Sequence, residues 1–266
     1  MTDEATPVLL EKDGHVAEII LNRPERMNAI TPELITGMEA ALERACADAQ
    51  VRAVVLRGEG RAFCAGLDKS NFARMAQPGA GLGDLTVRDR GDANLFQHAA
   101  MMWRRAPIPV IAAMHGVALG GGLQIALGAD MRVAAPDLRV SVMEMKWGIV
   151  PDMGGMALMR RLARGDVIRR LTYTAEMIDA AKALEFGLVT EIADDPLARA
   201  RQLAATVAAQ SPAAIRAAKR LLNLVEEDRE AEILMAESRI QMEIIGGPEQ
   251  LECVRAGLEG RPPRFD

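Results

Sequence analysis

The residues with the most chemical promise are Gly120-Gly121-Gly122, set between the apolar run that ends at Leu119 and a helical stretch. Backbone without side chains can approach a ligand closely, and amides at the start of a helix lack intrahelical acceptors. Such amides suit an anion, or the oxyanion that forms when a carbonyl gains charge. A tight turn with close helix packing accounts for the same run. Neither this run nor Gly79-Ala80-Gly81-Leu82-Gly83 meets the dinucleotide fingerprint, because the spacing fails and no acid follows a matching βαβ unit; NAD or FAD binding is not expected. No Gly-x-Ser-x-Gly elbow occurs. His15, His98 and His115 are scattered, without motifs around them, and are expected in structural or surface roles. Cys64, in Phe63-Cys64-Ala65-Gly66, has no activating neighbour in sequence and reads as a small packing residue. No metal-ligand signature is present.

Elements able to position these groups follow from periodicity. Val8 to Leu10 and Val16 to Leu21 are β-prone runs flanking Lys12-Asp13-Gly14, a hairpin signal. Thr31-Pro32-Glu33 opens a helix whose apolar positions are Leu34, Ile35, Met38, Ala41 and Leu42, and which ends before Val51. Val51 to Leu56 is uniformly apolar but for Arg52, the pattern of a strand buried on both faces. A helix around Asp92 to Arg105, a strand Val110 to Met114, a glycine turn, a helix from Gly121 to about Leu127 and a strand Met131 to Ala134 follow. This is an α/β rhythm of stacked ββα or βα units with parallel pairing. From about Asp195 the composition turns to Ala, Leu, Arg and Glu at helical spacing, with Ser211-Pro212 another helix start. The chain therefore divides into an α/β core, residues 1–194, and a helical region, residues 195–266, with no linker between them and no sequence repeat. Gln77 to Gly83 reads as a mobile loop.

Bulk properties narrow the field. With 266 residues, half of them apolar, the chain can bury a sizeable core, and 16 Met with only 3% aromatics favour an adaptable pocket. A net charge of −5 offers no general field for nucleic acid or an anionic membrane. Cys46, Cys64 and Cys253 suggest neither a disulfide framework nor a zinc site. Met1 to Pro7 lacks a basic or apolar leader pattern, and no stretch of about 20 uncharged apolar residues occurs, so a cytoplasmic location is expected.

Four stretches, taken in order, resemble the crotonase family, also called the enoyl-CoA hydratase/isomerase family. They are Leu21-Asn22-Arg23-Pro24-Glu25-Arg26-Met27-Asn28-Ala29, Arg61-Ala62-Phe63-Cys64-Ala65-Gly66-Leu67-Asp68, His115-Gly116-Val117-Ala118-Leu119-Gly120-Gly121-Gly122 and Gly148-Ile149-Val150-Pro151-Asp152-Met153-Gly154-Gly155. The resemblance runs from about Val8 to Phe265. It implies a right-handed spiral of ββα units followed by a C-terminal helical region used in trimerisation, giving a homotrimer or a dimer of trimers. It also implies an acyl-CoA substrate whose thioester carbonyl is held by two backbone amides, here Leu67 and Gly121. Preorganised donors of this kind are worth about 3 to 4 kcal/mol each on the developing oxyanion. Arg26 and Ala29 would line the CoA approach, with Ala65, Gly66, Leu67, Asp68, Lys69 and Ser70 near the pantetheine and adenine, and Gly120 beside Gly121. No cofactor is implied beyond the coenzyme A of the substrate.

The resemblance also locates the acids and bases. Hydratases of the family carry one glutamate at the position of Gln124 and a second at that of Glu144. A neutral amide can orient water or hold a carbonyl but cannot accept a proton at neutral pH. Glu144, in Val142-Met143-Glu144-Met145-Lys146-Trp147-Gly148, has apolar neighbours that would raise its pKa by desolvation, as suits a general base. A single base at this position is what the family's Δ3,Δ2-enoyl-CoA isomerases use, which tilts the expectation toward 3-enoyl to 2-enoyl isomerisation. Asp152 stands where dienoyl-CoA isomerases have an aspartate and hydratases a glycine. It reads either as a second proton carrier or as the N-cap of a helix from Met153 to Leu162. Hydration by Glu144 with Asp152, Gln124 holding water, is the alternative; a non-catalytic acyl-CoA-binding protein is another, and an RNA-binding relative is disfavoured by the acidic balance. In the tail, Gly257 and Gly260 stand where an aromatic and a lysine are common, so Arg261 or Arg264 is left either to meet CoA phosphates or to be solvated.

Overall fold

The N-terminal β-prone runs pair with each other. In the computed structural model, which describes residues 6–68, 71, 83–226 and 230–261, β1 (Val8–Asp13) and β2 (Val16–Leu21) form an antiparallel hairpin. Lys12 and Asp13 belong to the strand, paired with Ala17 and Val16, so the turn is tighter than the sequence suggests. Helix α1 (Pro32–Ala47) opens where Thr31 Oγ1 accepts from the Leu34 N–H at 3.3 Å, a cap worth about 1 kcal/mol. β3 (Ala53–Gly58) starts two residues later than expected, because its parallel register sets Ala53 against Val16 and Gly58 against Leu21. Helix α2 (Leu95–Arg105) starts later than Asp92, because Asn94 and Gln97 form a reciprocal capping box there.

β4 (Val110–Met114), β5 (Val117–Leu119), α3 (Gly121–Leu127), β6 (Met131–Ala134) and β7 (Arg139–Ser141) follow, three of them at the bounds that periodicity predicts. Next come α4 (Gly155–Met159), α5 (Gly165–Thr174), β8 (Ile178–Asp179), α6 (Ala180–Glu185) and β9 (Glu191–Ile192). The C-terminal helices are α7 (Pro196–Ala208), α8 (Pro212–Glu226), α9 (Glu230–Ile244) and α10 (Pro248–Glu259).

The larger sheet has the order β1-β2-β3-β4-β6-β9, parallel throughout except for the β1/β2 hairpin. Alternation along β3 sends Val54 and Leu56 to the main core, which includes Leu34, Met38 and Phe96, and sends Ala53 and Val55 to a second core with Ala200 and Ala204 of α7. Both faces are thus covered, as the uniform apolarity of this strand requires. A smaller sheet, β5-β7-β8, has no counterpart in the sequence reading. Its strands span two or three residues, too few to show a period. No helix among the described residues is long and apolar enough to cross a membrane.

Candidate active site

The smaller sheet positions the two glycine stretches. β5 runs parallel to β7, and Cys64 bridges Ala118: the Cys64 N–H donates to Val117 O at 3.1 Å and the Leu119 N–H to Cys64 O at 3.0 Å. Residues 64–67 therefore lie along β5 and the start of α3. Gly66 makes the approach possible, with φ at 87° and the position of a Cβ only 2.6 Å from Leu119 O. Gly120 has φ 50° and ψ −120°, and a Cβ there would stand 3.0 Å from Glu144 Oε1. The packing reading of the triple glycine holds at Gly122, where a Cβ would meet Cys64 O at 2.3 Å.

The amides of Leu67 and Gly121 are left over from this arrangement. Ile30 N–H donates to Gly66 O at 2.8 Å and Asp68 N–H to Ile30 O at 3.0 Å, so the intervening Leu67 N–H turns the other way. Among the described residues neither the Leu67 nor the Gly121 amide has an acceptor. Both residues line a cavity of about 410 Å³, together with Arg26, Ala29, Ala65, Gly66, Asp68, Gly120, Glu144 and Asp152. That size suits a small-molecule site. Lys69, Ser70, residues 77–82 of the loop and Arg264 lie outside the described residues.

Glu144 opens a short 3-10 turn, Glu144–Trp147, just beyond β7, and is buried. Its Oε1 accepts from Gln124 Nε2 at 2.7 Å, while Oε2 has no partner among the described residues. Burial pushes the Glu144 carboxyl up to about 7; the Asp152 charge adds to the rise and the Gln124 hydrogen bond opposes it. Asp152, half-buried on the same cavity, is also pushed up to about 7 by burial, against the Gln241 amide beside it.

Asp152 is not a helix cap. The helix expected from Met153 starts only at Gly155, after Gly154 in the left-handed region at φ 84°. The N–H groups of Met153 and Gly155 instead donate to Gln124 Oε1, at 2.9 and 2.8 Å, so a side chain from α3 takes the place of a cap. With its oxygen on those two donors, the Gln124 amide must present its nitrogen to Glu144. Gln124 is 2% exposed and does not line the cavity.

Arg23 donates to Ala29 O and to Asp68 Oδ2, the latter at 3.3 Å, tying the first resemblance stretch to the second. Arg261 folds back on Glu252 and Glu259, at 2.5 and 2.6 Å. None of the three histidines lines the cavity; His15 and His115 each contact a backbone carbonyl, and His98 lies 3.4 Å from Glu39. Burial pushes the Cys64 thiol up to about 12, in keeping with a packing role against Gly122.

Sequence reasoning missed Phe96, Met143, Trp147, Ile149, Met153 and Gln241 in the cavity wall. The apolar ones look like core residues, and Gln241 comes from the distant α9. Trp147 carried a signal that was not read: Gly257, without the common aromatic, leaves room for its ring, and a Cβ at Gly257 would lie 2.8 Å from Trp147 Cζ3. Replacing Gly257 with Leu is expected to push the ring into the cavity and raise KM for whatever substrate the cavity takes several-fold, with little change in kcat. Steady-state kinetics checks this, and an unchanged KM would show that the ring yields elsewhere.

The chain matches the model of the enoyl-CoA hydratase/isomerase family over residues 11–266. The protein of Mycobacterium tuberculosis named "Probable enoyl-CoA hydratase EchA14" is 38% identical over 215 residues, 80% of each chain. The short-chain-enoyl-CoA hydratase of Clostridium acetobutylicum is 30% identical over 261 residues, 97% of each. The crystal structure of an enoyl-CoA hydratase/isomerase from Xanthobacter autotrophicus Py2 superposes with a TM-score of 0.83 at 30% identity, covering 98% of both chains. A family match over nearly the whole length, joined to the same fold, makes this chain an enzyme of the enoyl-CoA hydratase/isomerase, or crotonase, family.

Proposed function

We propose that this enzyme isomerises 3-enoyl-CoA to 2-enoyl-CoA, with Glu144 as the single base. The observation that carries the reading is the commitment of Gln124: its oxygen is taken by two backbone amides and one N–H of its nitrogen by Glu144, and it is buried behind the cavity wall, so it is a positioning residue and not a holder of substrate water. Oε1 of Glu144 is held, and Oε2 is the basic atom. Glu144 takes a proton from C2 of the thioester, electron density moves onto the carbonyl oxygen, and the amides of Leu67 and Gly121 hold the resulting dienolate. The same carboxyl then returns the proton at C4. Arg26, Ala29, Ala65, Gly66, Asp68 and Gly120 flank the coenzyme A moiety, and no cofactor is required beyond it. We assign the assembly as a cytoplasmic homotrimer or dimer of trimers built on a ββα spiral and its C-terminal helices; the exposed Leu221 of α8 and Leu258 of α10 support burial between subunits.

A second reading has a specific observation behind it. Asp152 shares the cavity with Glu144 and is raised to the same range, so the pair could hydrate a 2-enoyl thioester. Giving the purified protein 3-enoyl-CoA and 2-enoyl-CoA separately separates the two. Isomerisation raises the conjugated-thioester absorbance from the first substrate; hydration lowers it from the second.

The pH profile tests the base. Because Glu144 acts as a carboxylate, kcat/KM is expected to rise as pH climbs through about 7 and then level. The negative charge of Asp152 raises the Glu144 value, so Asp152→Asn is expected to move this limb to lower pH. An unmoved limb would mean that the two carboxyls do not interact.

A further inference from the structure

A second cavity, of about 380 Å³, lies between α8 and the turn that joins α3 to β6. Arg104, Arg132, Arg161 and Lys219 line it, and Asp130 is the carboxylate among its lining residues. Lys219 Nζ donates to Trp103 O, Ile108 O and Asp130 Oδ2, at 2.9, 3.0 and 2.7 Å, and Asp130 also accepts from the Val110 N–H at 2.7 Å. Arg161 and Arg104 share Glu230, at 3.1 and 3.8 Å. Lys219 is thus paired with Asp130, and Arg161 and Arg104 with Glu230.

Arg132 is the group this arrangement does not explain. It is 4% exposed, its Nε donates to Leu188 O at 2.9 Å and its Nη1 to Ala129 O at 2.6 Å. Among the described residues its Nη2 has no acceptor, and no carboxylate lies within 4.0 Å of the guanidinium. Burial pushes this guanidinium down to about 10, against the attraction of Asp130, which is itself bonded to Lys219; at neutral pH Arg132 remains a buried cation with no carboxylate in contact. Beyond the cationic side, the wall is aliphatic, with Leu127, Leu158, Leu162, Ile215 and Leu222.

We propose that this cavity is a binding site for a small carboxylate on a short aliphatic chain, its carboxylate on Arg132 and its chain along the leucines. A single guanidinium edge suits one carboxylate oxygen, and the aliphatic wall gives the tail a place that inorganic phosphate would leave empty. The site is separate from the substrate cavity: Arg132, Lys219 and Leu222 belong to this lining and not to the other. The inference does not depend on which reaction the enzyme runs.

Calorimetric titration of the purified full chain with hexanoate tests it, with acetyl-CoA present in excess to occupy the substrate cavity. One hexanoate per chain is expected, in the presence of acetyl-CoA as in its absence. Arg132→Gln is expected to weaken binding by about tenfold or more, the worth of a hydrogen bond to a buried charge. Because Arg132 is buried, a second variant guards the result: Ala218→Trp, at an exposed position on the cavity rim, fills the space without touching a cation and is expected to abolish binding. Turnover of enoyl-CoA by both variants reports that they are folded. Absence of hexanoate binding, its displacement by acetyl-CoA, or binding unchanged in both folded variants would overturn the site. Inorganic phosphate binding more tightly than hexanoate would overturn the ligand class.

Discussion

Replacing Glu144 with Gln is expected to lower kcat on 3-enoyl-CoA by about 10²- to 10⁴-fold, the usual worth of a positioned proton carrier, while acyl-CoA affinity stays within about threefold. The proposed oxyanion donors, the amides of Leu67 and Gly121, are main-chain groups of other segments, so the substitution leaves them in place. A stability change with a definite sign should accompany the loss. The Glu144 carboxyl rises from an ordinary 4.5 to about 7 on folding, so the folded state binds this proton more tightly. Its contribution is then fully present below about 4.5 and is lost as pH rises through about 7. Above that range the folded protein holds a buried carboxylate whose Oε2 has no partner among the described residues, and a neutral amide removes the penalty. The Glu144→Gln variant should therefore melt a few degrees above the parent at pH 8 and close to it at pH 5, which calorimetry at the two pH values reads directly. Wild-type turnover in this variant would remove Glu144 as the base.

The second large effect is at Gly66, because no side-chain substitution can delete the Leu67 amide itself. Alanine there must occupy φ 87° and stand against Leu119 O, 2.6 Å from its Cβ. Relief requires residues 64–67 to move away from β5, which carries the Leu67 N–H out of register with Gly121. Loss of one oxyanion donor costs about 10²- to 10³-fold in kcat, and Gly66→Ala is expected to fall in that range. A lower melting temperature should follow from the weakened Cys64–Ala118 bridge. Steady-state kinetics beside a melting curve separates the two, since Gly14→Ala, a positive-φ glycine of the distant β1/β2 hairpin, strains the backbone without touching the site. If Gly66→Ala retains full kcat, the Leu67 amide is not one of the donors.

Much of the frame was legible because local signals agreed with the global fold. The bounds of β4, α3 and β6 follow from apolar runs closed by polar or glycine residues, and α1 from a Thr-Pro start. Even the early start assigned to α2 yields to a local rule, since Asn94 and Gln97 spell a capping box. The smaller sheet was not legible, because two- and three-residue strands carry no period and are stabilised only by partners far along the chain. Of the two readings of Asp152, proton carrier or helix cap, the structure removes the cap. Its sequence neighbourhood allows a cap, but the Gly155 amide such a cap would serve is taken, with that of Met153, by Gln124, 28 positions earlier.

What the sequence by itself determined is therefore the kind of site: glycines where backbone must come close, a glutamate among apolar neighbours, and a substrate class through the family resemblance. These depend on residue type and short-range order. The tertiary structure alone decided how those groups are used. It turned Gln124 from a candidate water holder into the clamp on Glu144, drew Gln241 and the Trp147–Gly257 contact into the wall, and left Arg132 buried beside a second cavity. Hydrogen bonds and desolvation depend on where distant segments meet, and no local pattern along the chain records that meeting.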